Sequence, residues 1–368
     1  MEEMAAKLEK VGKMFCLPGT LEQYEVITVG HINETYRVQY RTPDGKGGFF
    51  GKSYIFQKIN IFVFRDPEGV MHNIDLTTEH IRAKLAACGS TRPALHFHHT
   101  ADRKNFAVVD GEFWRVTNYI PSCVLTECSE PEVIRRVGFA FGQFQQMLSD
   151  LDGSLLYETI PHFHDTEKRL QTMFAHEAEN PLGKNAETEP ERAYLHRVFE
   201  KASELSVRFR NGEFPVRVTH NDTKANNVLF SEDTKEPLTV IDLDTVMPGM
   251  GMYDFADAVR FICNTCAEDE KDLSKVELDL EKFRVLAEGF LEQVKDSWTA
   301  AEVAAMVQAS FAICVETGSR FLDDYLTGDH YFRTAYPGHN LVRARCQLQL
   351  ARSIEEKWEQ MQKIIESI

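Results

Sequence analysis

Residues 35–40, TYRVQY, alternate apolar and polar positions with a period of two, which predicts a half-buried strand. Residues 24–30, YEVITVG, predict a strand before it that runs into Gly30 and His31. KSYIFQKI at 52–59 predicts a strand after it, joined through the turn-forming TPDGKGG at 42–48. From 70 to 87 the period changes to that of a helix, stopping near Gly89. FAVV at 106–109 and FWRVT at 113–117 flank Asp110-Gly111, the signature of a second hairpin.

Beyond residue 120 the pattern becomes helical. Pro131 opens a segment with Val133, Ile134, Val137, Phe141, Phe144 and Leu148 along one side. Further helices are expected at 189–209, 274–295, 300–325 and 341–366, with short strands at 228–230 and 238–241 and a polar surface loop at 176–190. The pattern predicts an α+β chain of two lobes: a sheet-rich N-terminal lobe, 1–118, and a larger, mostly helical C-terminal lobe, 119–368.

Composition narrows the setting. Against 57 acidic residues stand 41 basic ones, a formal charge of -16. That argues against a basic nucleic-acid surface or attachment to an anionic membrane. No apolar run is long enough to span a bilayer, and the charged N-terminus MEEMAAKLEKVGKMF lacks the pattern of an export signal. A cytoplasmic protein with free thiols is expected, its single C-x-x-C pair, Cys263 and Cys266, lacking two further zinc ligands nearby. No obligate protein partner is indicated.

The chemistry concentrates in THNDTKANNVLF at 219–230 and VIDLDTVMPG at 240–249. Transfer of a phosphoryl group from a nucleotide needs a carboxylate for the acceptor proton and oxygen ligands for Mg²⁺. In protein kinases His-x-Asp is followed five residues on by Asn, and after a hairpin by a metal-binding Asp. Here Asp222 follows His220, Asn227 lies five residues on, and a hairpin delivers Asp242. Lys224 is placed to put positive charge on the transferring group. His220 is expected to brace the loop. Asp244 either orients the Asp242 loop or assists the metal, and Asp254 and Asp257 are expected to brace the segment after it. His162 and His164, in PHFHDT, read first as loop histidines satisfied locally.

One kinase signal is displaced. The phosphate-facing strand should carry a Lys, yet the best register puts Gln57 there, with Lys58 one residue away and on the other face. Whether Asp75 or Glu79 pairs with anything at this site stays open. Gly30, Gln57, Tyr119 and Ile120 are the expected nucleotide contacts.

HNDTKANN and VIDLDTVMPG, with GHINETY at 30–36, WRVTNYI at 114–120, ETIPHFHDT at 158–166, DFADAVRF at 254–261, GSRFLDDYLTGDHYF at 318–332 and YPGHNLVRARCQ at 336–347, resemble the aminoglycoside-phosphotransferase and choline-kinase superfamily, and most specifically the bacterial N-acetylhexosamine 1-kinases. The resemblance spans nearly the whole chain. It implies a protein-kinase-like fold with a nucleotide-binding N-lobe and a catalytic, sugar-binding C-lobe. ATP would be the donor, Mg²⁺ the helper, and the anomeric hydroxyl of GlcNAc or GalNAc the acceptor. It makes Asp222 the base, Asn227 and Asp242 the metal ligands, and His31, Asp222, Asp242, Arg320 and Tyr331 the sugar contacts. The alternatives are a kinase for another small hydroxylated compound (an aminoglycoside, choline or homoserine) or an inactive nucleotide- or sugar-binding relative.

Overall fold

The computed structural model describes residues 2–28, 32–125 and 128–368. The expected contacts Gly30 and His31 lie outside the described residues. The chain forms two compact units, one of Met1–Cys123 with Ser231–Asp233 and Ile241–Val246, the other of Val124–Phe230 with Thr234–Val240 and Met247–Ile368. The first is sheet-rich and the second larger and mostly helical, the two-lobe α+β composition of a protein-kinase-like fold.

In the first unit, α1 (Glu2–Met14) precedes strands β1 (Thr20–Ile27), β2 (Glu34–Pro43) and β3 (Phe49–Lys58). Then come α2 (Pro67–Ala87), β4 (Ala107–Val109) and β5 (Glu112–Asn118). The strands form one antiparallel sheet in the order β1-β2-β3-β5-β4. Its period of two sends Tyr36, Val38, Tyr40, Tyr54, Phe56, Trp114 and Val116 to one face, where Leu8 and Val11 of α1, with Phe15 just after it, pack against them. Contact is tight enough that a Cβ on Gly12 would lie 1.8 Å from the Tyr40 hydroxyl. Residues 2–14 of the charged N-terminal segment are thus a packed helix. The opposite face carries Gln57 and Arg115, cross-strand neighbours in register.

HFHH at 96–99 is stitched along this sheet: His98 N–H donates to Val116 O (2.8 Å) and Phe97 bridges to Thr117. Burial, with His96 and Lys52 adding to it, pushes the His98 imidazole down to about 4.

After the two-residue strand β6 (Cys123–Val124), the second unit holds α3 (Pro131–Met147), α4 (Thr166–Glu179), α5 (Glu189–Arg210) and β7 (Arg217–Thr219). β8 (Val228–Phe230), β9 (Pro237–Val240), β10 (Met247–Gly249) and α6 (Met252–Ile262) follow. The chain ends with α7 (Leu280–Val294), α8 (Ala300–Ala304), α9 (Met306–Thr327) and α10 (His339–Glu366). Glycines let α3 and α7 meet backbone to backbone: a Cβ on Gly289 would sit 2.1 Å from Arg135 O, and one on Gly138 2.3 Å from Leu286 O.

Several boundaries differ from the sequence expectation. The segment expected as one helix over 300–325 is two. Thr299 and Glu302 close a capping box on α8, the Glu302 carboxylate is held by the buried Arg217, and the chain leaves the helix at Ala305 before α9 begins. The helix expected from 274 begins at Leu280, where the Asp279 carboxylate caps the N–H groups of Glu281 and Lys282. The expected loop over 176–190 starts late, because α4 runs to Glu179 before Asn180 turns left-handed at φ 45°. α6 is a helix that the sequence expectation did not include; ten of its eleven residues are buried, Asp254, Asp257 and Arg260 among them at helical spacing.

Candidate active site

β7 leads into a loop whose backbone donors are all claimed by side chains. The N–H groups of His220 and Asn221 donate to the Asp254 carboxylate at 2.9 and 2.8 Å. Asp222 N–H donates to His220 Nδ1 (3.3 Å), and Thr223 N–H to Asp257 Oδ2 (2.9 Å). Gln145 on α3 donates to Asp254 at 2.6 Å and to Val218 O at 2.9 Å, tying the anchor to β7. Asp254 and Asp257 therefore brace the 220–223 loop, rather than the segment after the metal loop. His220 is fully buried between the rings of Phe141 and Phe144, as a brace should be. Asn221 stands in the left-handed region at φ 66°, a conformation Asn tolerates better than most side chains.

This frame presents Asp222, whose side chain keeps about a quarter of its surface. Lys224 Nζ lies 2.7 Å from Asp222 Oδ1, and Asn227 Nδ2 donates to both the carboxylate (3.0 Å) and the main-chain oxygen of Asp222 (2.8 Å). Burial alone would raise the Asp222 carboxyl, but Lys224, His220 and Asn227 outweigh it and hold it below the usual range. For Lys224 burial works the other way, and the Asp222 charge overcomes it to raise the ammonium. The structure thus brings Asp222, Lys224 and Asn227 into one charged cluster.

The Asn227 amide hydrogens point at Asp222, which leaves Oδ1 as the atom to meet a cation. An amide oxygen and a carboxylate suit Mg²⁺, so the donor set present fits that ion. β8 and β9 pair with Val228 opposite Val240, and Asp242 follows two residues later in the segment that belongs to the sheet-rich unit. Asp242 is left-handed, at φ 62° and ψ 57°. Two residues on, Asp244 is buried and gripped by the Arg115 guanidinium, with Arg115 Nη2 at 3.1 Å and Asn33 Nδ2 at 2.6 Å from Oδ2. Asn73 of α2 adds a bond to Val246 O at 2.9 Å. Of the two roles left open for Asp244, the geometry within this unit supports orientation of the loop.

Gln57 is used inside the sheet, its Oε1 accepting from Arg115 Nε (2.9 Å) and its Nε2 donating to Thr35 Oγ1 (3.2 Å). Lys58 points to the opposite face, toward Glu34 and Glu112. Asp75 and Glu79 are engaged elsewhere, with His99 (3.2 Å) and Arg82 (2.5 Å). Beside Gln57, one strand over, the sheet carries Arg115, whose charge is committed to Asp244. An arginine between Trp114 and Val116 in a strand was the available signal. Tyr119 lies under the Arg37 guanidinium at 4.1 Å, and Ile120 is buried.

Arg320 and Tyr331 meet, the guanidinium carbon 5.8 Å from the ring centre, with Phe163 at 5.0 Å and Phe332 at 5.5 Å completing an aromatic surround. A cavity of about 280 Å³ lies in the helical unit, lined by Phe163, His164, Asn221, Met247 and Tyr253 among others; Asp222 is not among its walls. Among the described residues, no group of three or more His, Cys, Asp or Glu side chains is placed to hold a metal ion, and no helix is long and apolar enough to cross a membrane.

A sheet-rich unit followed by a helical one, with an Asp-Lys-Asn cluster at a braced loop, defines a kinase-like phosphotransferase. The profile of the phosphotransferase enzyme family matches residues 23–277, and the chain belongs to that family. Solved structures share the fold. An aminoglycoside phosphotransferase from Alicyclobacillus acidocaldarius aligns at a TM-score of 0.61 with 13% identity, over 98% of this chain and 96% of that one. A spectinomycin phosphotransferase in complex with ADP and spectinomycin aligns at 0.54 with 13% identity, over 98% of each. A choline kinase from Cryptosporidium parvum aligns at 0.52 with 12% identity, over 100% of this chain and 98% of that one.

Proposed function

We propose that this phosphotransferase moves the γ-phosphoryl group of ATP onto a small hydroxylated acceptor, and that the acceptor is the anomeric hydroxyl of an N-acetylhexosamine, GlcNAc or GalNAc. The observation that carries the transfer is the Asp222 carboxylate, kept ionised by Lys224 and oriented by Asn227. Asp222 takes the proton of the attacking hydroxyl. Lys224 holds that carboxylate in place and puts positive charge beside the reacting groups. Asn227 and Asp242 are the proposed oxygen ligands of Mg²⁺, which when bound offsets charge on the phosphate oxygens. Gly30, Gln57, Tyr119 and Ile120 remain the proposed nucleotide contacts, and His31, Arg320 and Tyr331 the proposed sugar contacts.

The choice of acceptor draws on Arg320. Phe163, Tyr331 and Phe332 make the kind of aromatic surround that elsewhere receives a quaternary ammonium, but here it already holds a guanidinium. A cationic acceptor such as choline, or a polycationic aminoglycoside, would meet like charge there. A neutral sugar offers hydroxyl and amide oxygens to the guanidinium donors and apolar C–H faces to the rings. The second reading, a kinase for another small hydroxylated acceptor, is supported by the fold shared with aminoglycoside and choline kinases. A panel of GlcNAc, GalNAc, glucose, galactose, choline and kanamycin, with the phosphorylated position determined, separates the two. A hexosamine 1-phosphate is expected. Turnover of choline or kanamycin in preference to both hexosamines would overturn the acceptor assignment and leave the phosphotransfer standing.

A further inference from the structure

His164 stands between a buried carboxylate and the peptide that precedes Asp222. Its Nδ1 lies 2.8 Å from Glu316 Oε1 and its Nε2 lies 3.3 Å from the main-chain oxygen of Asn221. The Asn221 carbonyl accepts, and so does Glu316 when ionised, so with that carboxylate a ring carrying a proton on each nitrogen satisfies both contacts. Glu316, on α9, is fully buried, and its second oxygen accepts from Thr166 Oγ1 at 2.8 Å. Burial opposes ionisation of Glu316, yet His164, Arg320 and Arg169 outweigh it and keep the carboxyl below its usual range. A buried anion beside a doubly protonated ring forms a compensated pair, which the interior tolerates far better than either charge alone.

The contact matters because of which peptide it holds. Asn221 is left-handed at φ 66°, its N–H is fixed by Asp254 at 2.8 Å, and its carbonyl is fixed by His164. Asn221, the residue leading into Asp222, is therefore held at both ends, its N–H by α6 and its carbonyl by His164, which α9 backs through Glu316. Phe163 and Tyr253 pack on the imidazole at ring-centre distances of 4.6 and 5.6 Å and restrict its rotation. Glu316 is one helical turn from Arg320, so the same stretch of α9 carries both the anchor of the loop and a proposed sugar contact.

We infer that His164, as an imidazolium paired with Glu316, is a positioning residue that holds the Asn221 carbonyl and so sets the aim of the Asp222 carboxylate. The claim rests on Asp222 being the base proposed above.

Two near-isosteric variants test it, His164→Gln and Glu316→Gln, each checked for folding by its melting temperature. Nitrogen-15 spectra of the histidine rings, with the His164 signals assigned by their loss in His164→Gln, are expected to show two protonated nitrogens in the parent protein at neutral pH. In Glu316→Gln the ring should carry one. With GlcNAc as probe at saturating ATP, His164→Gln is expected to lower kcat roughly 10- to 100-fold, the scale for a displaced positioning group, with both KM values within about threefold of the parent. A singly protonated His164 in the parent overturns the inference, as does a kcat within about twofold of the parent, or a loss confined to KM. Should the parent protein leave GlcNAc untouched, the acceptor assignment falls while the nitrogen spectra still decide the state of His164.

Discussion

Replacing Arg115 by Leu removes one member of an ion pair in which the two side chains expose only 2% and 3% of their surface. Asp244 would stay where it is, buried, with Asn33 the one remaining side-chain donor among the described residues. Breaking such a pair from one side typically costs about 3–5 kcal/mol, because an uncompensated charge remains in low dielectric. Gln57 adds to the loss, since its Oε1 surrenders the Arg115 Nε donor. Calorimetric melting should register a fall of roughly 6–20 °C in the transition of the sheet-rich unit, at about 2–4 °C per kcal/mol. The informative comparison is the double variant Arg115→Leu/Asp244→Leu. With both charges gone the desolvation penalty disappears, and the residual cost should be about 1–3 kcal/mol for the polar groups left without partners. The double variant must therefore melt higher than the single one. A single variant that loses less than about 1 kcal/mol, or a double variant that melts lower than it, would refute the claim that these charges compensate each other.

Asp222→Asn should lower kcat by about 10²- to 10⁴-fold, the usual scale of a general base, with ATP titration unchanged and no rescue by excess acceptor. For the proposed metal ligands, Asp242→Ala should lose most activity at any Mg²⁺ concentration, whereas Asn227→Ala should recover partly at high Mg²⁺; parent-like metal dependence in both variants removes them from the site. Gly289→Ala puts a methyl group 2.1 Å from Arg135 O, so α7 must back away from α3; overpacking of this kind costs about 1–3 kcal/mol, read as a lower melting temperature of the helical unit, and an unchanged one would mean the helices separate without strain.

The sheet was legible because its core positions obey a period of two that the sequence displays openly, from TYRVQY through KSYIFQKI to FWRVT. α3, α5 and α10 were legible for the same reason at the helical period. α6 was not, although Asp254, Asp257 and Arg260 mark one side of it at helical spacing, because that polar stripe is buried against the 220–223 loop and does not read as a solvent face. Nor was α8 separated from α9, since the break falls at Ala305, an alanine that favours helix and marks no stop in the sequence.

The cluster around Asp222 divides in the same manner. The spacing of Asp222, Lys224 and Asn227 is local, and a short loop leaves few ways to place three such side chains, so sequence alone determined that they belong together. What keeps them in place is distant: Asp254 and Asp257 from α6, Gln145 from α3 and His164 with Glu316 behind it. Gln57, which stands where the kinase pattern has a lysine, likewise bonds to Arg115, which only strand pairing makes its neighbour. Sequence periodicity determined which residues face inward and which short motif carries a carboxylate, a lysine and an amide. Tertiary structure decided which buried charges neutralise one another, because a carboxylate can stay ionised in the interior only beside a partner, and that partner comes from wherever in the chain the packing delivers it.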